Sequence, residues 1–424
     1  MIRTLKRWLK FLARLTLKKY RPFVIGVTGS AGKTSTKIAI HSVLKIRLSV
    51  RMAGGNLNNE LGLPLAVLGN YDRTGGGFFW FGVFLKSLLA LAIRLPYPRN
   101  LILEYGADKP GDIGYLLKIV KPDLAVITAL GEVPVHVEFY SSPEEVAQEK
   151  GKLIQGLGVS SHAVLNHDDH YVLSLKEKTR AKVMTFGFGE GSDMRIVSFE
   201  NREENFRPIG ISFKLEHENC LVPVRIDGLL GQGHAYALAA AALVGLIRGL
   251  NLVEVAELLS EYAGEKGRMK ILSGIKGAVL IDDSYNASPI SVRSALATLQ
   301  SLSAKRRVAV LGDMAELGQY TADAHEEVGR LSAKFVDWLV TVGPKAKFIA
   351  EAALAAGLAK ERVLSFGEAE EAGLFLKTLI KEGDVVLIKG SQSVRMEKAI
   401  KEIMAEPRLA KKLLVRQYGK WIRP

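Results

Sequence analysis

The sequence predicts an α/β protein of two units: a P-loop-type ATP-binding domain carrying a small antiparallel insertion, then a Rossmann-like domain. Three observations predict it. A glycine-rich turn ending in Lys-Thr, "GVTGSAGKTST" (26–36), follows the apolar run "FVI" and opens a helical stretch. Short apolar strands then alternate with helical stretches through "NLILEYGA", "DLAVITAL" and "SHAVLNHDD", and again through "AVLIDDSYN", "RRVAVLGDM", "WLVTVG" and "DVVLIKGS". That alternation is the pattern of a parallel sheet. Between a helix and a new strand, "YAGEKGRMKILSGIKG" (262–277) gathers glycines and polar residues, which predicts a domain boundary and a fresh sheet from about residue 278. The resulting division is a basic amphipathic helix at 1–21, an ATP-binding domain at 22–265 and a Rossmann-like domain with a basic tail at 266–424.

The N-terminal segment "MIRTLKRWLKFLARLTLKKY" sets Leu5, Trp8, Leu9, Leu12 and Leu15 on one helical face and Arg3, Lys6, Arg7, Lys10, Arg14 and Lys18 opposite. It is too charged to span a bilayer and has no signal-peptide cleavage pattern. Two placements fit: on an anionic membrane surface, which makes peripheral contact through residues 1–20 an expectation, or packed on its own domain with a basic face to solvent. A strand, a tight glycine turn and a helix N-terminus come next, and together they aim backbone N–H groups at one spot suited to an anion. Thr28, Gly29, Ser30, Ala31, Gly32, Lys33, Thr34 and Ser35 are the expected ATP-binding residues, with Lys33 reaching the outer phosphates and the Thr34 hydroxyl a ligand for Mg²⁺. Glycine stands at 26, 29 and 32, so the pattern is T-G-x-x-G-K-T, a variant of the general P-loop.

Further along, "FFWFGVFLKSLLALAIRLPYP" (78–98) is interrupted by Lys86 and Arg94, leaving runs short of the ~20 apolar residues a span requires. A helix buried against the sheet is expected. Broken period-2 alternation in "IGISFKLEH" and "CLVPVRIDG" predicts the antiparallel insertion at 190–230, and an alanine-rich helix follows at 234–248.

Composition excludes several classes. A chain of 424 residues, 48% hydrophobic and 24% charged, has room for large cores in two or three domains. One cysteine, Cys220, excludes an internal disulfide framework and a cysteine-cluster metal site, so a cytoplasmic location is expected. The net charge of +14 is concentrated at the ends, +8 in residues 1–21 and +5 in 401–424, leaving +1 for the body. No broad basic groove is implied, and nucleic-acid binding is not expected.

Polar clusters fall in order at the carboxyl ends of the predicted strands, where open α/β sheets bind ligands. They are "GGNLNNELGLPLAVL" (54–68), "LILEYGADKPGDI" (101–113), "PVHVEFYSSPEEVAQEKGKLI" (134–154), "VLNHDD" (164–169), "IDDSYNASPISVRSAL" (281–296), "VLGDMAELG" (310–318) and "LIKGSQSVRMEKAI" (387–400). With T-G-S-A-G-K-T, this series resembles the Mur ligase family, most closely its D-alanyl-D-alanine-adding branch, over roughly residues 22–400. The resemblance implies ATP-dependent amide formation through an acyl phosphate, in cell-wall precursor synthesis, on nucleotide and small peptide substrates. It implies Lys33, Glu104, His136 and Lys150 as the catalytic set. Thr34 and Glu104 would hold one Mg²⁺, and His136 and Lys150 a second, with Lys150 carbamylated and Lys152 its nearby rival. Asn56, Asn58 and Asn59 would meet the acceptor carboxylate or the phosphates. Arg268 would reach a phosphate, Asp283 and Asn286 the ribose and base, and Lys389 and Ser391 the incoming amine.

Two departures stand out. The P-loop begins near residue 26, where the branch usually has a separate UDP-binding domain first, and Tyr236 occupies a place in "GQGHAYALAAAA" usually held by asparagine. The UDP is then held by other surfaces, a partner chain supplies the domain, or the acceptor is not a UDP-sugar, a lipid-linked one included. Rival readings are a folate-polyglutamating or poly-amino-acid ligase of the same superfamily, and a membrane-associated P-loop ATPase without ligase activity.

Overall fold

The computed structural model describes residues 2–55 and 57–421. Strands β1 (Phe23–Thr28), β2 (Val50–Met52), β3 (Asn100–Glu104), β4 (Leu124–Ile127), β5 (His162–Asn166), β6 (Lys182–Gly187), β7 (Met194–Glu204), β8 (Arg207–His217) and β9 (Cys220–Asp227) form one sheet in the order β2-β3-β1-β4-β5-β6-β7-β8-β9. Pairing is parallel from β2 to β7 and antiparallel from β7 to β9. The sequence dictates this change. The strands β3 and β4 are apolar runs buried along their whole length, as a sheet covered on both faces requires, whereas β9 alternates buried and exposed residues, as a half-solvated strand does. The antiparallel segment expected as an insertion is thus a continuation of the main sheet.

Helices α1 (Ile2–Tyr20), α2 (Lys33–Leu44), α3 (Gly62–Leu68), α4 (Gly77–Ala92), α5 (Asp112–Leu117) and α6 (Pro143–Gln155) cover the parallel strands. Because side chains alternate along a strand, Ile25, Ile102 and Val126 face a core shared with α2 and the helix Gln232–Ile247, while Val24, Leu101 and Ala125 face a core shared with α1, α3, α5 and α6. Two expectations change here. Of the predicted apolar face of α1, Leu9 and Leu12 are buried along with Ala13 and Thr16, but Trp8 is on the outside. The helix α4 is not a buried helix: only Val83 and Ser87 are enclosed. Among the described residues, no helix is long and apolar enough to cross a membrane.

The second sheet takes the order β10-β11-β15-β12-β13-β14, from β10 (Lys270–Ser273), β11 (Val279–Asp283), β12 (Arg306–Gly312), β13 (Trp338–Val342), β14 (Val363–Phe366) and β15 (Asp384–Lys389). It is parallel except for β10, which runs antiparallel to β11. The sequence reading placed β10 in a linker, because "KILS" is only four residues long and glycines flank it on both sides.

Candidate active site

The turn between β1 and α2 depends on its glycines. Gly29 and Gly32 take positive φ values of 145° and 83°, and a Cβ on Gly29 would stand 2.0 Å from Thr128 Oγ1. The end of β4 pins the turn. Ser30 and Ala31 N–H groups donate to the Ala129 carbonyl at 2.7 and 3.0 Å, and Thr128 Oγ1 donates to the Ala31 carbonyl at 2.6 Å. Those two amides, expected to cradle phosphate, are therefore committed to the protein. The first turn of α2 has no side-chain cap at Gly32, so its amides remain as the anion-facing donors. Lys33 folds back over the turn and donates to the Gly29 carbonyl at 2.7 Å. Desolvation lowers its pKa, with Glu104 acting in the opposite sense.

Glu104 ends β3 beside β1, in register with Val27. Its carboxylate is buried among donors: Thr34 Oγ1 at 3.3 Å, Asn58 Nδ2 at 3.2 Å and Lys37 Nζ at 3.3 Å. Burial works to raise its pKa, but Lys37, Lys33 and Asn58 outweigh it and hold the group ionised. Lys37 is 2% exposed and also donates to the Gly55 carbonyl. Sequence reasoning missed it, although its place three residues after Thr34 puts both on one face of α2. The hydroxyl of Thr34 and the carboxylate of Glu104 converge as hard oxygen donors, a pairing that fits Mg²⁺. Asn59 instead uses its side-chain oxygen to accept from the Leu61 and Gly62 amides at the start of α3, and Asn56 lies outside the described residues.

His136 lies between two carboxylates: Nδ1 is 2.7 Å from Glu316 Oε2 and Nε2 is 3.5 Å from Asp108 Oδ1. Glu316 follows β12 of the second sheet, so this histidine is a junction between the two halves. Neither carboxylate was singled out from sequence, though both lie in the quoted clusters. Lys150 is buried in α6, and burial, reinforced by Lys33, pulls its pKa down to about 7. Its rival Lys152 is half-exposed and paired with Glu149 at 2.5 Å.

From the second half, Lys389 Nζ sits 2.6 Å from Asp283 Oδ2 in a buried ion pair and donates to the Asn286 carbonyl at 2.9 Å. Two residues expected to meet different substrates thus hold each other. Ser391 Oγ accepts from the Ala315 amide at 2.8 Å. The Arg268 guanidinium stacks over Tyr285, 4.1 Å from the ring centre, and its buried Nε has no hydrogen-bond partner among the described residues.

Two cavities meet at the P-loop. One, of about 600 Å³, runs past Asp168, Tyr236, Asp283 and Arg293; the other, of about 570 Å³, is lined by Lys33, Thr34, Asn58, Glu104, His136 and Ser391. Gly32 and Arg268 border both. A phosphate chain laid across Gly32 would present its terminal group to the second cavity, where Glu104 and Thr34 stand. Lys150 is not part of either lining.

A phosphate-binding turn set beside a polar cavity, with walls from two sheets, is the layout of an ATP-dependent carboxylate–amine ligase, in which protein groups align and neutralise rather than react. Comparison with known proteins agrees. The Mur ligase middle domain matches residues 90–245, and the Mur ligase glutamate ligase domain matches 267–392. The UDP-N-acetylmuramoyl-tripeptide–D-alanyl-D-alanine ligase of Bacillus subtilis (strain 168) is 30% identical over 403 residues, covering 94% of this chain and 79% of that one. Crystal structure I of MurF from Acinetobacter baumannii superimposes with a TM-score of 0.78 at 27% identity, covering 95% of this chain and 81% of that one. MurF ligase from Thermotoga maritima, solved in complex with ADP, gives 0.75 at 26% identity, covering 96% and 84%. The chain belongs to the Mur ligase family.

Proposed function

We propose that the chain joins D-alanyl-D-alanine, or a closely similar amine, to the peptide carboxylate of a UDP-N-acetylmuramoyl-tripeptide, the reaction named for its Bacillus subtilis relative. The observation that supports this most is the meeting of the two cavities at Gly32, which suits a nucleotide in one and the reacting carboxylate in the other. The acceptor carboxylate attacks the γ-phosphorus, ADP leaves, and the resulting acyl phosphate is attacked by the amine. The tetrahedral intermediate then expels phosphate, and the amine proton leaves with it or to solvent.

In this reading Lys33 swings from the Gly29 carbonyl to the outer phosphates, and the amides of Lys33, Thr34 and Ser35 receive the phosphate chain. Thr34 and Glu104 would hold Mg²⁺, which would supply charge neutralisation for the outer phosphates. Asn58 is left to orient Glu104 and the acceptor, while Arg268 reaches phosphate from the other side. Asp283 borders the nucleotide, Asn286 lines the neighbouring cavity that takes the carboxylate, and the Asp283–Lys389 pair keeps their loop in place beside Ser391. His136, on the cavity wall, would hold a second Mg²⁺, and Lys150, which lines neither cavity, would join it only as the longer carbamate. The lowered pKa of Lys150 supplies the neutral amine that carbamylation by CO₂ requires. Residues 22–265 and 266–424 act as two bodies closing over the substrates, in the cytoplasm where ATP is available.

The test is ADP and phosphate release by purified protein with Mg²⁺ and ATP, adding D-alanyl-D-alanine and UDP-N-acetylmuramoyl-tripeptide singly and together. Release and a new amide are expected only with both. Release independent of the pair would move the chain to a ligase with another acceptor, or to an ATPase without ligation.

A further inference from the structure

The helix α4 presents an apolar face to solvent. Phe78, Phe81, Leu85, Leu88, Leu89 and Ala92 recur at intervals of three and four, so they form one stripe opposite the enclosed Val83 and Ser87. Phe78 is 96% exposed and Phe81 69%, and no charge interrupts the stripe. Scattered surface leucines are ordinary, but a continuous stripe on one helix marks a contact surface. The backbone at its end is already satisfied: Lys19 of α1 donates to the Ala90, Leu91 and Ile93 carbonyls, each at 2.9 Å, and Tyr20 donates to Ala90. The helix can therefore enter an apolar medium without bringing the Ala90 and Leu91 carbonyls of its last turn in bare.

We propose that this face of α4, with the outer stripe of α1 beside it, docks on the surface of an anionic lipid bilayer. Charge selects that occupant. Outward on α1 are Trp8 and Phe11, flanked by Arg7, Arg14 and Lys18, and neither α1 nor α4 contains an acidic residue. Lys86 and Arg94 border the α4 stripe. Aromatic rings with basic side chains around an apolar strip match the boundary between acyl chains and phosphate headgroups, where long cationic side chains reach up to the phosphates. At 16 residues α4 is roughly 24 Å long, below the ~30 Å of a hydrocarbon core, so it lies along the interface and does not cross it. The amphipathicity of α1 alone does not give this surface, since Leu9 and Leu12 are spent on the protein's own core; the apolar contact comes mainly from α4.

The full chain, without substrates, is sedimented with vesicles of phosphatidylcholine alone or mixed with a quarter phosphatidylglycerol. Binding to the anionic vesicles is expected, weakened by high salt and at least about tenfold stronger than to phosphatidylcholine. The double variant Phe81→Ser, Leu85→Ser should lose it while keeping the thermal midpoint and the ADP release of the parent, because both side chains are exposed and remote from the site. A chain that stays in the supernatant overturns the proposal. Unchanged binding by the double variant overturns the role of α4. Dimers that the variant converts to monomers, without vesicle binding by the parent, would assign the face to a second copy of the chain. None of these outcomes bears on ligase activity, which is read separately.

Discussion

In the ligase reading Glu104 works only as an anion, and its surroundings decide whether it is one. A carboxylate this enclosed tends to keep its proton, and Lys37, fixed on the next turn of α2 after the P-loop lysine, is its principal counter-charge. Removing one member of a buried pair leaves the other uncompensated, typically at 3–5 kcal/mol. Lys37→Met is accordingly expected to raise the pKa of Glu104 and lower phosphate release at neutral pH by about 10- to 100-fold, with a partial recovery at higher pH as Glu104 ionises. Rate–pH profiles of variant and parent check this, and a profile that merely scales down uniformly would refute the charge-pairing role. The two residues illustrate what a sequence conveys about a site. Glu104 was legible because it ends an apolar strand within a recognisable cluster. Lys37 looked like one more helix lysine, and only β3 folding next to α2 reveals that its ammonium is enclosed.

At the scale of elements, the helix Gln232–Ile247 anchors the segment that carries Arg268. His234 in its first turn is buried, with Nε2 3.0 Å from the Arg268 carbonyl and Nδ1 2.9 Å from the Tyr262 hydroxyl. A carbonyl only accepts, so Nε2 carries the proton, and Nδ1 accepts from Tyr262: the neutral ring satisfies both partners. Burial lowers the His234 pKa to about 4, from 6.5. The unfolded chain then binds a proton that the folded chain refuses between those values, so stability is full above pH 6.5 and falls as the pH drops towards 4. The linkage amounts to about 3 kcal/mol across that window. A His234→Gln variant should unfold with a flatter pH dependence between 6.5 and 4, measured by urea titration at several pH values; an unchanged slope would place the acid sensitivity elsewhere. Elements differed in legibility for related reasons. The apolar strands could be read because full burial on both faces leaves a continuous signature. The brief β10 carries too few residues to show one, and α4 was misplaced because apolarity alone does not tell an interior from an unpartnered surface.

For the molecule as a whole, the site exists only while the two sheets face each other, and besides hydrogen bonds such as Ser303 N–H to Glu203 at 2.7 Å, ion pairs hold them there. One joins Arg293 to Glu132 at 3.7 Å, with Glu132 77% exposed, which makes it weak. The His136–Glu316 contact is shorter and half-buried, and His136 holds the Glu316 carboxylate below its usual pKa, against the effect of burial. In the ligase reading, His136 would serve the second Mg²⁺ through Nε2, while Glu316 on Nδ1 would fix the ring's orientation and raise its basicity as a ligand. The contact then ties the halves together and orients the histidine at once, so its two functions support each other. Glu316→Gln should therefore loosen the halves, seen as faster hydrogen exchange at Val137–Phe139 and Gly318–Tyr320, the two segments that meet there. It should also raise the Mg²⁺ concentration for half-maximal phosphate release by about tenfold, because the histidine loses the carboxylate that orients it. His136→Ala should raise that concentration at least as far. A fall with Glu316→Gln would mean that His136 has to leave Glu316 to reach the metal, and that the contact is a latch rather than a support.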